Sequence, residues 1–546
     1  MPDEYKLVTD KEKDFADLYG RMDEDKKLLI QYSYVMRDKD DREDPDVDNI
    51  TMNDAATFAN RVHNTIIRAG ITPEVEGEGL KDEDTSLIEG FIRAIDLMAD
   101  SFIQYRDIPS FKDWEILQAC DRGRIARRVT LREEDGKLAP DSFLQIDARY
   151  LSYEYGINGL LWVANRLPRS KEDIKDEYGV EVTRKNAVVT DFWNSEEEVV
   201  YVGKEEVKRE ANVWGEPPFI IQVVPAGLFF MDDDRMLQSG ESIFSLDRNL
   251  YPAKNLFGTI LQSLTTKSFF NGLQLEVENV ATAKKPALPP YGKKFVAPVK
   301  IGSKGYFSMP IQDLQSSAKF FYSILDEALQ NGALPKVSYG TYPSPASGVG
   351  IAQLKEAEDP VYYPRIQGFT MFRQRLYRMI IKQYIQLKMN LELGEAGFKK
   401  KYSYRDLDKD FSLKFFVDLT SPQQDMVNIS TAAAVGGLVS KDTKRRKYLR
   451  LDNPDEENDK ILAERASDMS PMVAMYDVGK ALWERGDKVK AGYIAKQMGV
   501  TMKELLSGAS SNGKKPVPEQ EPKQLIPMFG GATGGRGDGG SPGGEE

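Results

Sequence analysis

The sequence predicts an α+β protein, mainly helical, and three observations carry that expectation. Apolar residues recur every three or four positions through much of residues 1–135, the spacing of amphipathic helices. After Asp141 the texture changes to short runs rich in β-branched and aromatic residues, which is the pattern of strands. Further on, two narrow apolar seams of helical period flank a stretch dense in proline, glycine and lysine.

Taken in order, Leu28–Met36 ("LLIQYSYVM") and Leu87–Ile103 ("LIEGFIRAIDLMADSFI") have helical spacing, with the acidic loop "RDKDDREDPDVDN" between them. Ala187–Trp193 and Glu198–Gly203 read as two strands joined through Asn194-Ser195 and acidic residues, and Pro218–Pro225 as another bounded by prolines. Arg169–Gly179 reads as a helix beside a small, mostly antiparallel sheet.

The first seam is Leu246, Leu250, Ala253, Phe257, Ile260 and Leu264, spaced for one face of a long helix. Pro252 either kinks that helix or marks its first turn. The second seam is Leu314, Ala318, Phe321, Leu325 and Ala328. Between them, residues 269–310 form a basic, Pro- and Gly-rich excursion, so the chain runs out along one rod and back along another. A strong helix follows a proline break, with Phe369, Phe372, Leu376, Ile380, Tyr384 and Leu387 on one face. Asn453-Pro454 followed by acids is a helix start with a cap. From Gly508 the composition is that of a disordered tail.

A chain of 546 residues is too long for one compact core. Its net charge of -12 argues against coating nucleic acid with a basic surface. One cysteine, Cys120, and one histidine, His63, leave no disulfide framework and no usual zinc or Cys-His constellation. The charged opening stretch lacks an apolar signal core, and no run approaches the ~18 apolar residues of a membrane span. The expectation is a soluble protein made in a reducing compartment.

Each motif has a plain reading beside the sharper one. Asp44, Asp46 and Asp48 begin like a calcium loop, but Asn49 and Ala55 stand where its glycine and closing glutamate belong. The acids of Met231–Arg235 suit a helix start better than a cation. No GxxxxGK[ST] is present, so a P-loop motor is excluded. Arg536-Gly537-Asp538 arises readily in a Gly-rich tail. Lys441–Arg450 is the best local candidate to touch nucleic acid, against a solvated helix face balanced by the acids downstream. Lys284, Lys285, Lys293, Lys294, Lys300 and Lys304 form a second basic cluster suited to an acidic partner or to DNA.

In their order, several segments resemble the portal proteins of tailed bacteriophages. Asn212–Pro225 resembles the wing segment leading to the stem, and "GESIFSLDRNLYPAKNLF" from Gly240 resembles the first stem helix. "SGVGIAQLKEAED" from Ser347 resembles the small helix near the channel, and Gly437–Glu464 resembles the crown's Ser-x-x-Thr start and acidic second helix. The resemblance spans roughly Asp141 to Glu464. It implies a portal fold divided as N-terminal helical extension 1–135, wing 136–239, first stem helix 240–268, clip 269–310, second stem helix 311–332, channel loop and short helix 333–364, long helix and return 365–420, crown 421–507 and tail 508–546.

It further implies a dodecameric ring at one capsid vertex, with double-stranded viral DNA passing through it. Terminase, a head–tail adaptor and a capsid or scaffolding protein are the implied partners, with no membrane, no cofactor, no metal and no enzymatic activity. Phe257, Leu264, Phe321 and Leu325 are the expected stem-packing residues. Lys284, Lys285, Lys293 and Lys294 are expected to dock a partner from the clip, and Lys336 to meet DNA at the axis. The competing readings are another head–tail connector or minor head protein, and a metal-dependent hydrolase built on paired carboxylates.

Overall fold

The computed structural model describes residues 3–43, 47–104, 108–232, 235–270, 273–279, 296–301, 312–334, 359–394 and 399–418, with 339, 397 and short pieces between 429 and 498. Among the described residues, helix at 51% outweighs strand at 23%, an α+β composition that is mainly helical. The chain divides into two compact units, Met1–Asp452 and Asn453–Glu546.

The first unit opens with helices α1 (Asp3–Asp14) and α2 (Ala16–Leu29). The helical reading of Leu28–Met36 fails here. The helix stops at Leu29, and Gln31 turns the chain with φ 50°. Tyr32, Tyr34 and Val35 are weak helix formers, and the Tyr34 and Met36 N–H groups bond instead to side chains of Thr51 and Asn49. Helix α3 (Asp54–Ile67), strand β1 (Gly70–Glu76), the long α4 (Asp82–Ile103) and α5 (Phe111–Leu117) follow. Leu87–Ile103 is helical throughout, as its spacing predicts.

Two sheets come next. Strand β2 (Arg124–Val129) lies at the centre of a three-stranded antiparallel sheet, between β3 (Phe143–Ile146) and β9 (Phe219–Val223). The five strands β4 (Leu151–Gly156), β5 (Gly159–Ser170), β6 (Asn186–Asn194), β7 (Glu197–Val202) and β8 (Glu205–Ala211) form an antiparallel meander in sequence order. The expected Ala187–Trp193 and Glu198–Gly203 runs are β6 and β7, paired from Val189↔Val202 to Trp193↔Glu198. The expected helix is α6 (Lys171–Tyr178), capped by the Ser170 hydroxyl and stopped by Gly179 in the left-handed region. Its Ile174 packs on Val189, Val200 and Val202. Helices α1 and α2 cover the meander through Tyr5 and Val8, then Phe15, Leu18 and Met22.

Helix α7 (Leu250–Phe270) and helix α8 (Gln312–Gly332) are the two rods of the seam pattern. Pro252 lies in the first turn of α7, where its missing N–H costs nothing. Between the rods, β10 (Leu273–Val277) and β11 (Val296–Lys300) pair in parallel, strands that the Pro-rich composition did not predict. Helix α9 (Asp359–Gln386) then runs through Pro364, so the proline break expected before Ile366 is absent. Pro364 lies in the second turn, so the helix gives up the one bond that a donor there would make to the Pro360 carbonyl and continues on the bonds of the residues that follow. Phe369, Phe372, Leu376, Ile380 and Tyr384 are buried along one face of α9 in the main core, with Phe58, Phe91 and Ile95, whereas Leu387 lies beyond the helix and is exposed. Strands β12 (Asn390–Leu393) and β13 (Lys400–Ser403) form a hairpin, and β14 (Ser412–Asp418) returns to pair with β1.

In the second unit, α10 (Pro471–Glu484) and α11 (Lys488–Gln497) form a helical pair, with Lys488 over the Trp483 ring. The predicted cap at Asn453-Pro454 and the Gly-rich tail lie outside the described residues.

Candidate assembly surface on the central helix pair

The sequence of α7 places two kinds of side chain on opposite sides of the helix. One side carries Lys254, Asn255, Thr259 and Ser263, and all four are buried. The other carries Leu256, Ile260, Leu261 and Leu264, each more than a third exposed. A helix on a globular surface normally buries its apolar stripe. Here the polarity is reversed.

An extended strap explains the buried polar side. The Asp48, Ile50 and Met52 N–H groups donate to Ser263 Oγ (2.9 Å), Thr259 Oγ1 (3.1 Å) and Asn255 Oδ1 (2.8 Å). Successive acceptors are one helical turn apart, a rise of about 6.0 Å, while alternate strand residues advance about 6.6 Å. The near match lets three rungs form with the strap antiparallel to the helix. Gly258 makes the close approach possible, since a methyl there would lie 2.6 Å from Met52 Cε and 3.1 Å from Ile50 Cγ2. On the strap's other side, Asn49 Oδ1 and Thr51 Oγ1 accept from the Met36 and Tyr34 N–H groups (both 2.8 Å).

The two rods meet through Phe257, whose ring lies edge-on to Phe321 at 5.5 Å and near Tyr322 at 6.3 Å. Lys254 bonds Asp54 at 2.8 Å and Asp326 at 3.3 Å, with its ammonium 5.5 Å from the Tyr322 ring. Burial alone would lower that ammonium, but Asp54, aided by Asp326, holds it raised and charged. Among the predicted stem residues, Phe257 and Phe321 are therefore in contact, and Leu325 is buried further along α8. Leu264 lies on the open side of α7, and Leu246 precedes the helix and is highly exposed. With Phe320, Phe321 and Ile324 of α8, the open residues of α7 make a large apolar exposure on the helix pair.

The root of α7 is held firmly. Asp25 on α2 accepts from Arg248 (2.7 and 3.1 Å) and from the Ser242 hydroxyl (2.8 Å), while Glu241 bonds both Arg21 and Arg248. Arg365 on α9 donates to the Ser242 carbonyl at 2.7 Å. At the foot of the strap, Lys27, Tyr32, Thr51, Tyr251 and Lys254 line a cavity of about 30 Å³, room for water rather than for an organic substrate.

The sole histidine and cysteine have structural settings. His63 Nε2 lies 2.8 Å from Asp121 Oδ1 inside the core, and burial pushes the Cys120 thiol far above its ordinary range, away from a reactive thiolate. Among the described residues, no three His, Cys, Asp or Glu side chains converge on a metal-sized site, and no helix is long and apolar enough to cross a membrane. Lys284, Lys285, Lys293, Lys294 and Lys336 lie outside the described residues, as do Asp44, Asp46 and most of the crown-like segment.

Sequence reasoning found the rods and missed the strap. The signal was available in the polar stripe Asn255, Gly258, Thr259 and Ser263, which is too small and too polar for a solvated helix face rich in long charged residues. No protein-family model matches the chain, and no curated protein sequence matches it.

Proposed function

We propose that this chain is a ring-forming subunit of the portal type, a structural protein rather than an enzyme. The observation that carries the reading is the reversed helix α7. Its polar side is satisfied within the chain by the strap, and its apolar side is left for another surface. Exposed apolar faces of this extent on rigid elements mark protein–protein contacts. A contact between different faces of identical copies closes into a ring when the rotation between copies permits.

Further support comes from the order of parts. Two rods flank a small two-stranded module and are rooted by ion pairs into a larger body with a five-stranded sheet. That order is what the portal resemblance implies for stem, clip and wing. In this reading the ring is dodecameric and lies at a capsid vertex of the virion after synthesis in the host cytoplasm. It passes double-stranded DNA during packaging and ejection, and it docks terminase, an adaptor and a capsid or scaffolding protein. The acidic balance of the chain, -12 per copy, would keep passing DNA from adhering.

Native mass measurement with negative-stain microscopy of the purified full chain tests the reading. Rings with an axial hole are the expected outcome. A monomer or a closed dimer at micromolar concentration would remove the portal assignment.

A further inference from the structure

Asp247 stands just before α7 and is almost wholly buried, 2% exposed. Its backbone carbonyl accepts from the Leu250 and Tyr251 N–H groups (2.8 and 3.2 Å), which starts the helix. Its side chain does something else. Oδ2 has no hydrogen-bond partner among the described residues, and the carboxyl rests directly on Gly332, the last residue of α8. A methyl at position 332 would fall 2.0 Å from Oδ1 and 2.6 Å from Cγ. Two residues on, Leu334 is fully buried.

The carboxyl is therefore enclosed where one rod begins and the other ends. The end of α8 presents carbonyl oxygens and the negative pole of its dipole, a poor setting for a carboxylate and a good one for a neutral carboxyl. No cation compensates among the described residues. Arg248, its neighbour, is turned to Asp25 and Glu241, and Lys254 is engaged by Asp54 and Asp326. The titratable group facing Asp247 is the Tyr251 phenol, held neutral by burial and then by Asp247 itself, with Tyr339 and Asp54 acting in the same direction. Burial pushes the Asp247 carboxyl up to about 7.

We propose that Asp247 is a protonation-controlled latch between the two rods. Neutral, it lets the end of α8 seat on the start of α7; ionised, it loosens that seat at Gly332–Leu334. It does not depend on the chain forming a ring.

Hydrogen–deuterium exchange of the full chain tests this, read as protection factors for residues 329–334 at pH 6 and pH 8.5. The wild type should lose protection there on the order of tenfold at the higher pH, while Asp247→Asn should hold the same protection at both. Wild-type protection that does not change with pH overturns the latch, whatever the variant does. An equal loss in Asp247→Asn overturns it as well, by assigning the pH response to another group. If the Asn variant does not fold, Asp247→Ser makes the same comparison with a smaller neutral side chain.

Discussion

Arg373 on α9 illustrates how single residues fix this fold. It is buried, donates to Asp96 at 2.7 Å and lies 2.8 Å from Glu115, which is itself buried and bonded to Arg127 at 3.1 Å. Arg127 in turn stacks 3.6 Å from the Phe111 ring centroid. Burial would discharge these groups singly; Asp96 and Glu115 together hold the Arg373 guanidinium firmly charged. Replacing one member strands the others, so Arg373→Met should destabilise the first unit by about 3–5 kcal/mol. Chemical denaturation would read the loss, and a change within experimental scatter would mean the cluster is not coupled. Asp247 gives the opposite sign of pH dependence from a salt-bridged acid. Its folded carboxyl titrates near 7, above the ordinary value of 3.8, so the folded state keeps a proton that the unfolded chain has released. Stability should be fullest below pH 4 for this group and fall as pH rises toward and through 7, by on the order of 4 kcal/mol in all. Asp247→Asn should remove that component from a denaturation series taken between pH 5 and pH 8. Little of this residue-scale chemistry was legible beforehand, because Asp96 and Arg373 meet across 277 positions and no local pattern announces such a pair.

At the scale of elements, the strap across α7 is held by side chains of the helix and backbone of the strap. Thr259→Val keeps the shape of the middle rung and removes its acceptor, leaving the half-buried Ile50 N–H without its partner. The expected cost is about 1 kcal/mol, the value of an ordinary hydrogen bond, because a half-buried donor recovers part of its bonding from water. Amide exchange at Ile50 should accelerate in the variant while the amides of α9 stay protected. Equal acceleration in both places would mean that the strap and the core open together, and the strap would not be a separable element. Sequence patterning was reliable where one apolar face meets one core. It identified α4, α6, α7, α8, β6, β7 and most of α9. It failed at Leu28–Met36 and at the strap, where backbone groups are satisfied by distant polar side chains and no periodicity records the arrangement. It also missed β4, β5 and β8, which complete the meander by pairing with one another and with the two strands that were recognised.

At the scale of the whole molecule, the sequence pattern and the fold treat the helix pair differently. The seam on α7 reads as one continuous stripe, yet the chain itself uses it at Leu250, which packs on the main core, and at Phe257, which meets Phe321. Ile260, Leu261 and Leu264 remain open, so the same stripe serves an internal contact at Phe257 and, in the ring reading, an external one beyond it. Those two roles predict different variants. Phe257→Asp should place a charge against Phe321 and Tyr322, weakening the rod pair itself and with it any assembly. Neither Ile260 nor Leu264 belongs to the buried core among the described residues, so the stability of the double variant Ile260→Asp with Leu264→Asp should stay within about 1 kcal/mol of the parent. Each substituted carboxylate would nevertheless have to be desolvated at a subunit contact without a partner, a cost of several kcal/mol per copy and repeated around a ring. The double variant should therefore purify as a folded monomer with the parent's circular dichroism and denaturation midpoint, and it should give no rings by native mass or negative-stain microscopy. Rings formed by the double variant as readily as by the parent would mean that the open face of α7 is not the contact. The reversed polarity of the helix would then need a different partner to account for it.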